Sequence, residues 1–395
     1  MHETQFGINY YGVKPRVLCF GRFYDEIPGG MQRHIEHLFS SLKNNVDYVH
    51  LVPSRNWSSA KFSLHGFPVY RNRSINFDGS FALSPGLPLA AIQLHKKYDF
   101  DIVHLHFPDP MSHLASLVLP QSIRRIISWH ADITRQKRLL SIYRPLIKRA
   151  LSTAQAIIVA TPGHIASSPD LAPHSGSDKI HVIPYGFSLD RFSTTGHLVD
   201  RIRTEYPYRL IFALGRHVYY KGFDVLIKAM TLIDPSVHLL LGGIGPLTDQ
   251  LKTTAKSHSV SDRVHFLGHI DESELPSYYQ ACDVFCLPST SPAEAFGIVQ
   301  VEAMASGKPI VSTDLGNGVN FVNIDGLTGL LTEPGNSKSL AAALQKVLSD
   351  EQYRLTMGQN ARERAFAEFT MEKMADRTLS VYRGVLNMPA VDSNT

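Results

Sequence analysis

Residues 212–229, FALGRHVYYKGFDVLIKA, decide the fold. An apolar run ends at Leu214 and a glycine-containing turn follows. Arg216 and Lys221 stand just past it, and an apolar-periodic segment resumes at Phe223. This is a strand, a turn and a helix. A strand that is apolar throughout, rather than at alternate positions, suits a parallel sheet covered on both faces. Cations beyond the end of such a strand suit a phosphate or diphosphate. Arginine offers a planar donor fork and lysine a compact charge. Taken alone, the pair fits two exposed loop charges equally well.

The same unit recurs in both directions. Short β-branched runs are expected as strands at 17–21, 48–53, 101–106, 125–129, 156–160 and 179–184. A second set follows at 209–215, 237–242, 263–267, 283–288, 309–312 and 328–331. Amphipathic segments lie between them, such as the stripe Met31, Ile35, Leu38, Phe39 and Leu42. Strand–helix alternation along a whole chain implies an α/β fold with right-handed crossovers. The rhythm breaks at the polar stretch 190–207, which reads as a linker. Two doubly wound, Rossmann-like domains are therefore expected, at 1–192 and 193–372, with a final helix at about 373–390 packing back on the first. Open α/β sheets bind ligands outside the carboxyl ends of their strands, so two facing domains would hold a ligand in the cleft between them.

A second informative stretch is 289–312, STSPAEAFGIVQVEAMASGKPIVS. Glu294 and Glu302 are the acids in an Ala- and Gly-rich apolar segment. Gly297 allows close backbone approach, and the helix expected from Ile298 would point its first amides at an anion. Carboxylates at each end suit sugar hydroxyls, although solvated helix acids are the plainer reading. Gly29 and Gly30 precede another helix, a phosphate-compatible turn or simply a tight one. His130 ends the strand at 125–129 and either faces a ligand or lies in the core. His104, His106 and His113 lie near Asp101 and Asp109, but their spacing gives no complete metal-ligand set. Residues 242–247, GGIGPL, begin like a dinucleotide fingerprint, yet Thr248 stands where its third glycine belongs. No phosphate-binding P-loop motif is present.

The bulk properties are those of a globular chain: 395 residues, 44% hydrophobic, 19% charged, net charge +4. That mild excess does not mark a nucleic-acid binder. It is concentrated at 134–150, where Arg135, Lys137, Arg138, Arg144, Lys148 and Arg149 occur without an acid. With Leu139, Leu140, Ile142, Tyr143, Leu146 and Ile147 this run fits either an anionic membrane surface or an ordinary basic helix. Cys19, Cys282 and Cys286 read as core thiols in a reducing compartment. No signal peptide or membrane-spanning run is visible, so the expected location is cytoplasmic or peripheral at the cytoplasmic face of the inner membrane.

Together these pieces resemble family 4 of the retaining glycosyltransferases, which have the GT-B fold. Residues 215–222, GRHVYYKG, resemble the family's diphosphate motif, and Glu294-Ala-Phe-Gly with Glu302 resembles its Glu-x7-Glu motif. The resemblance implies roles. Arg216 and Lys221 would neutralise the leaving diphosphate. Glu294 would bind hydroxyls of the transferred sugar, with His130 against the same sugar. Backbone amides of Phe296, Gly297 and Ile298 would hold sugar and phosphate. Glu302 would bind the ribose, and Ile270 would contact the base through its backbone. Gly29 and Gly30 would line the donor site. No metal and no cofactor are implied. Many members carry Gly-Gly-Glu in the next loop; here residues 315–323 read LGNGVNFVN. That variant resembles bacterial transferases of polysaccharide assembly that use GDP-mannose or GDP-rhamnose. The expected partners are a nucleotide-sugar donor and a saccharide or lipid-linked saccharide acceptor. The alternatives are a UDP-sugar donor such as UDP-glucose or UDP-GlcNAc, another reaction on the same fold, and a non-catalytic nucleotide-sugar-binding subunit.

Overall fold

The computed structural model describes residues 14–21, 30–77, 81–132, 137–194 and 197–388. These form two compact units. The first contains residues up to 160, then 164–186 and 371 onward; the second contains 161–163 and 187–370.

The first unit carries strands β1 (Arg16–Phe20), β2 (Asp47–Pro53), β3 (Ala60–Leu64), β4 (Phe67–Asn72), β5 (Ile75–Phe77), β6 (Phe81–Leu83), β7 (Ile102–Phe107), β8 (Arg124–Trp129), β9 (Ala156–Val159) and β10 (Ile180–Val182). Its main sheet runs β10-β9-β8-β7-β1-β2-β4-β3. Every neighbouring pair is parallel except β3 with β4. Helices α1 (Gly30–Leu42), α2 (Leu87–Tyr98), α3 (Pro110–Leu117), α4 (Lys137–Thr153) and α5 (Pro162–Ser167) occur along this part of the chain. Strands β3 and β4 escaped the sequence reading. They form a hairpin whose two-residue turn is His65-Gly66, with φ of 51° and 91°. Positive φ at both central residues is what a two-residue hairpin requires. The hairpin caps the sheet edge, is only partly buried and lacks a strong apolar signal.

The second unit opens with α6 (Asp190–Ser193) and α7 (Val199–Glu205). The stretch expected as a linker thus holds two short helices: Phe192 and Ile202 are buried, which anchors both. Strands β11 (Arg209–Leu214), β12 (Val237–Gly242), β13 (Val264–Gly268), β14 (Val284–Leu287), β15 (Ile310–Thr313) and β16 (Gly329–Thr332) form one parallel sheet, ordered β13-β12-β11-β14-β15-β16. The crossovers are α8 (Phe223–Met230), α9 (Thr248–Ser257), α10 (Leu275–Ala281), α11 (Ile298–Ala305) and α12 (Gly318–Val322), and α13 (Ser337–Ser349) and α14 (Glu351–Glu368) follow the last strand. Helix α8 inserts Phe223, Leu226, Ile227 and Met230 into a core with Ile211, Leu239, Leu241 and Val284. Each such side chain contributes about 1.5–3 kcal/mol on burial. Strand order reverses between β11 and β14, and a ligand crevice opens at the carboxyl ends of the strands at such a switch point.

The last helix, α15 (Met371–Val385), belongs to the first unit. It buries Met374, Ala375, Leu379, Val381 and Tyr382 with Ile35, Leu38, Phe39 and Leu42 of α1. The Tyr382 hydroxyl lies 3.1 Å from that of Tyr48 and 2.7 Å from Nδ1 of His104.

Candidate functional site

The chain leaves β11 through Gly215 and turns at Arg216, which is exposed. His217 is fully buried and bonds Thr248 Oγ1 through Nδ1 at 2.9 Å. This explains Thr248 in the dinucleotide-like stretch: its hydroxyl also donates to the Gly245 carbonyl. The two glycine loops lie hard against each other. A Cβ on Gly243 would fall 2.0 Å from the Gly215 oxygen, and one on Gly245 would fall 2.5 Å from the His217 oxygen.

A single 3-10 turn, Tyr219–Lys221, then swings Lys221 inward, so it is 8% exposed. Gly222 follows at φ 66° and caps α8. From the far side of the switch point, the loop after β14 brings Glu294, itself 9% exposed. Lys221 Nζ lies 2.6 Å from Glu294 Oε2, and Ser289 Oγ donates to that same oxygen at 3.0 Å. Lysine and glutamate come from different strands of the sheet and meet because β11 and β14 are neighbours.

Gly297 takes φ 69° as the cap of α11. Phe296 beside it is buried, edge-on to Phe369. Ile298, the first residue of α11, is exposed. One turn along, Glu302 is half-buried, and Oε2 accepts a 2.7 Å hydrogen bond from the hydroxyl of Tyr279. Ile270 is buried, with its side chain against Gly242 at the end of β12. The 315–323 loop is tied to the glutamate loop. Asn317 caps α12 by accepting from Val319 N at 3.0 Å and donates to the Glu294 carbonyl at 2.8 Å. Gly318 leaves no room for a side chain, since a Cβ would sit 2.2 Å from the Ala295 oxygen. Arg216, Lys221, Glu294, Phe296, Gly297, Ile298 and Ile270 thus lie on loops and helix starts that follow strands of one sheet, with Glu302 one turn into α11. Together they offer cations, carboxylates and helix-start amides, which is chemistry for a phosphorylated sugar.

In the first unit, Gly30 is the first residue of α1, whereas Gly29 lies outside the described residues. His130 follows β8, and both ring nitrogens have partners. Nε2 lies 2.9 Å from His106 Nδ1, and Nδ1 lies 3.1 Å from the Tyr185 hydroxyl. Its ring stacks on both neighbours, and His34 packs edge-on against it at 5.1 Å between centroids. Burial holds His130 and His106 well below the ordinary imidazole range, and burial lowers His34 to about 4. Among the described residues, His104, His106 and His113 do not converge with Asp101 and Asp109. His104 is satisfied by Tyr382 and Ser128, Asp101 holds Arg16, and Asp109 caps α3. The grouping that does form is His34, His106 and His130, each offering a ring nitrogen within 4.8 Å of the others. His34 escaped the sequence reading as a member of this group, as did Tyr185 as a partner of His130. His34 sits inside an amphipathic helix, and only the fold brings it to the other two.

The family model described as "Glycosyltransferase Family 4" matches residues 28–191, and "Glycosyl transferases group 1" matches 201–364. The chain is 30% identical over 290 residues to O-antigen chain mannosyltransferase C of Escherichia coli, covering 73% of this chain and 77% of that protein. It is 30% identical over 360 residues to D-rhamnosyltransferase WbpZ of Pseudomonas aeruginosa, covering 90% and 92%. Sucrose-phosphate synthase from Thermosynechococcus elongatus superposes with a TM-score of 0.71 at 24% identity, over 95% of this chain and all of that one. WaaG, a glycosyltransferase involved in lipopolysaccharide biosynthesis, gives 0.62 at 18% identity, over 93% of this chain and all of that one. The two Rossmann-like units define a GT-B glycosyltransferase. The chain belongs to glycosyltransferase family 4, and it is a sugar-transferring enzyme.

Proposed function

We propose that this enzyme is a retaining transferase that moves mannose or rhamnose from a GDP-sugar to a lipid-linked saccharide during assembly of a bacterial surface polysaccharide. The observation that carries the reading is the buried Lys221–Glu294 pair between β11 and β14, with Arg216 exposed beside it. The mannosyl- and rhamnosyltransferase relatives support the choice of sugar.

In this reading the donor diphosphate rests against Arg216 and Lys221. Glu294 accepts from hydroxyls of the transferred sugar, and Glu302 accepts from the ribose. Amides at Phe296, Gly297 and Ile298 hold sugar and phosphate, and the Ile270 backbone meets the base. Neither metal nor cofactor takes part. The bond between the sugar C1 and the diphosphate oxygen breaks as charge collects on the leaving group. Electrostatic stabilisation of such charge is worth roughly 3–4 kcal/mol per well-placed donor. The acceptor oxygen attacks C1 from the face the diphosphate leaves. Its proton passes to the departing phosphate oxygen, so the products are the glycosylated acceptor and a nucleoside diphosphate.

His130 is read as lying against the same sugar; at present its ring nitrogens meet His106 and Tyr185. A lipid-linked acceptor implies work at a membrane surface. Among the described residues no helix is long and apolar enough to cross a membrane. The basic run at 134–150 is the proposed contact; its side chains are described only from Tyr143 onward, and there Arg144 is paired with Asp170 at 3.2 Å.

A thermal-shift screen of GDP-, UDP- and ADP-sugars tests the donor, because ligand binding raises the melting temperature by mass action. GDP-mannose or GDP-rhamnose should give the largest shift, and a UDP-sugar shifting it more would overturn the GDP assignment. Flotation with vesicles of anionic phospholipid tests the membrane contact, which fails if the protein stays at the bottom of the gradient.

A further inference from the structure

We propose that Tyr279 is the positioning residue that fixes the carboxylate of Glu302 for the ribose diol of the donor. The inference rests on the reading of Glu302 as the ribose ligand.

Tyr279 lies on α10 and is completely buried. Phe192, Phe212 and Phe285 surround its ring, with centroids at 5.7, 5.1 and 5.4 Å. Close packing of this kind fixes a side chain in one rotamer, so the phenol oxygen is a fixed point. A buried tyrosine hydroxyl needs a hydrogen-bond partner, and the partner here is Glu302 Oε2 at 2.7 Å. The bond is charge-assisted, short and directional.

The two ends differ in freedom. The phenol is locked by aromatic packing, whereas Glu302 is half-buried on a neighbouring helix and has three rotatable bonds. The ordering therefore runs from tyrosine to glutamate. A carboxylate that must meet two vicinal hydroxyls at once needs a defined plane, and holding one oxygen defines it in advance. Ordering a glutamate side chain otherwise costs entropy at the moment of binding. Burial and the adjoining carboxylate hold the phenol well above its usual range, so it remains a proton donor across the working pH.

The test is Tyr279→Phe, which keeps the ring and removes only the hydroxyl. Calorimetry would measure binding of GDP and 2′-deoxy-GDP, with UDP and 2′-deoxy-UDP in parallel. The unmodified enzyme should prefer the ribonucleotide by roughly tenfold, the worth of a hydrogen bond to a charged group. Tyr279→Phe should reduce that preference to about twofold or less, raise KM for the donor and leave kcat near normal. In Glu302→Ala the preference should vanish, and adding Tyr279→Phe should change nothing further. An intact ribose preference in Tyr279→Phe overturns the proposal. So does equal weakening of ribo- and deoxynucleotides, the mark of a merely structural role. An intact preference in Glu302→Ala instead overturns the ribose reading itself.

Discussion

Lys221 Nζ lies 2.6 Å from Glu294 Oε2, and each side chain is only 11% exposed. An ion pair so far from water is a poor source of stability, because stripping both charges of solvent offsets most of their attraction. Breaking it from one side is worse, because the remaining charge stays buried and unpaired. Glu294→Gln should therefore destabilise the protein by about 3 kcal/mol as well as impair turnover. Adding Lys221→Met should recover at least about 1 kcal/mol of that loss, because contacting charges couple. Urea unfolding of both single variants and the double variant measures the coupling, and strictly additive effects would show the pair to be inert.

Arg216 offers the opposite case. It is exposed, so its removal should change stability by no more than about 0.5 kcal/mol. Turnover should nonetheless fall at least 100-fold, the usual loss when one transition-state donor is deleted. Near-normal kcat in Arg216→Ala would remove it from the chemistry.

Acid should loosen the first unit. Burial lowers His50 and His104 to about 3, and His34 and His113 to about 4. Each binds a proton more readily in the unfolded chain, where its pKa is about 6.5. Their neutral forms therefore stabilise the fold fully above about pH 6.5, and that contribution is lost as pH falls toward the folded values, at up to roughly 1.4 kcal/mol per pH unit for each group. Both tryptophans, Trp57 and Trp129, lie in this unit. Tryptophan emission during urea unfolding at pH 8, 6.5 and 5 therefore reads the first unit alone. A midpoint that does not move would contradict the neutral burial of these rings.

Gly222 should tolerate no side chain. It holds φ +66°, and a Cβ there would fall 2.0 Å from the carbonyl oxygen of Pro288. Gly335 has a similar φ of +76° with nothing within 4 Å. Gly335→Ala should cost about 1 kcal/mol from backbone strain alone. Gly222→Ala adds a backbone collision and should cost at least about 3 kcal/mol. Circular dichroism during denaturation compares the two, and equal losses would show that the loop gives way freely.

The sequence and the structure agree most closely where information is local. Every expected strand is present within a residue or two of its expected bounds, because a buried parallel strand is a short apolar run with its own turn signals. The eight-residue spacing of Glu294 and Glu302 was legible for the same reason. What stayed hidden depends on tertiary pairing. The β3–β4 hairpin is half-exposed and weakly patterned. Tyr279 meets Glu302 across 23 positions of chain. His34 meets His106 and His130 only because α1, β7 and β8 converge. Lys221 and Glu294 were assigned to diphosphate and sugar separately. Their direct contact follows from β11 lying beside β14, an adjacency that no local pattern encodes.

The return of α15 to the first unit has an evolutionary consequence. Tyr382 joins Tyr48 and His104 in that unit's interior, so a segment ending at residue 186 would leave part of its own core unfilled. The two halves of this enzyme are thus not consecutive cassettes. A gene exchange that replaces one half must cut twice, before Phe187 and after Thr370. A lineage exchanging the second unit would have to graft the middle of the gene rather than its end.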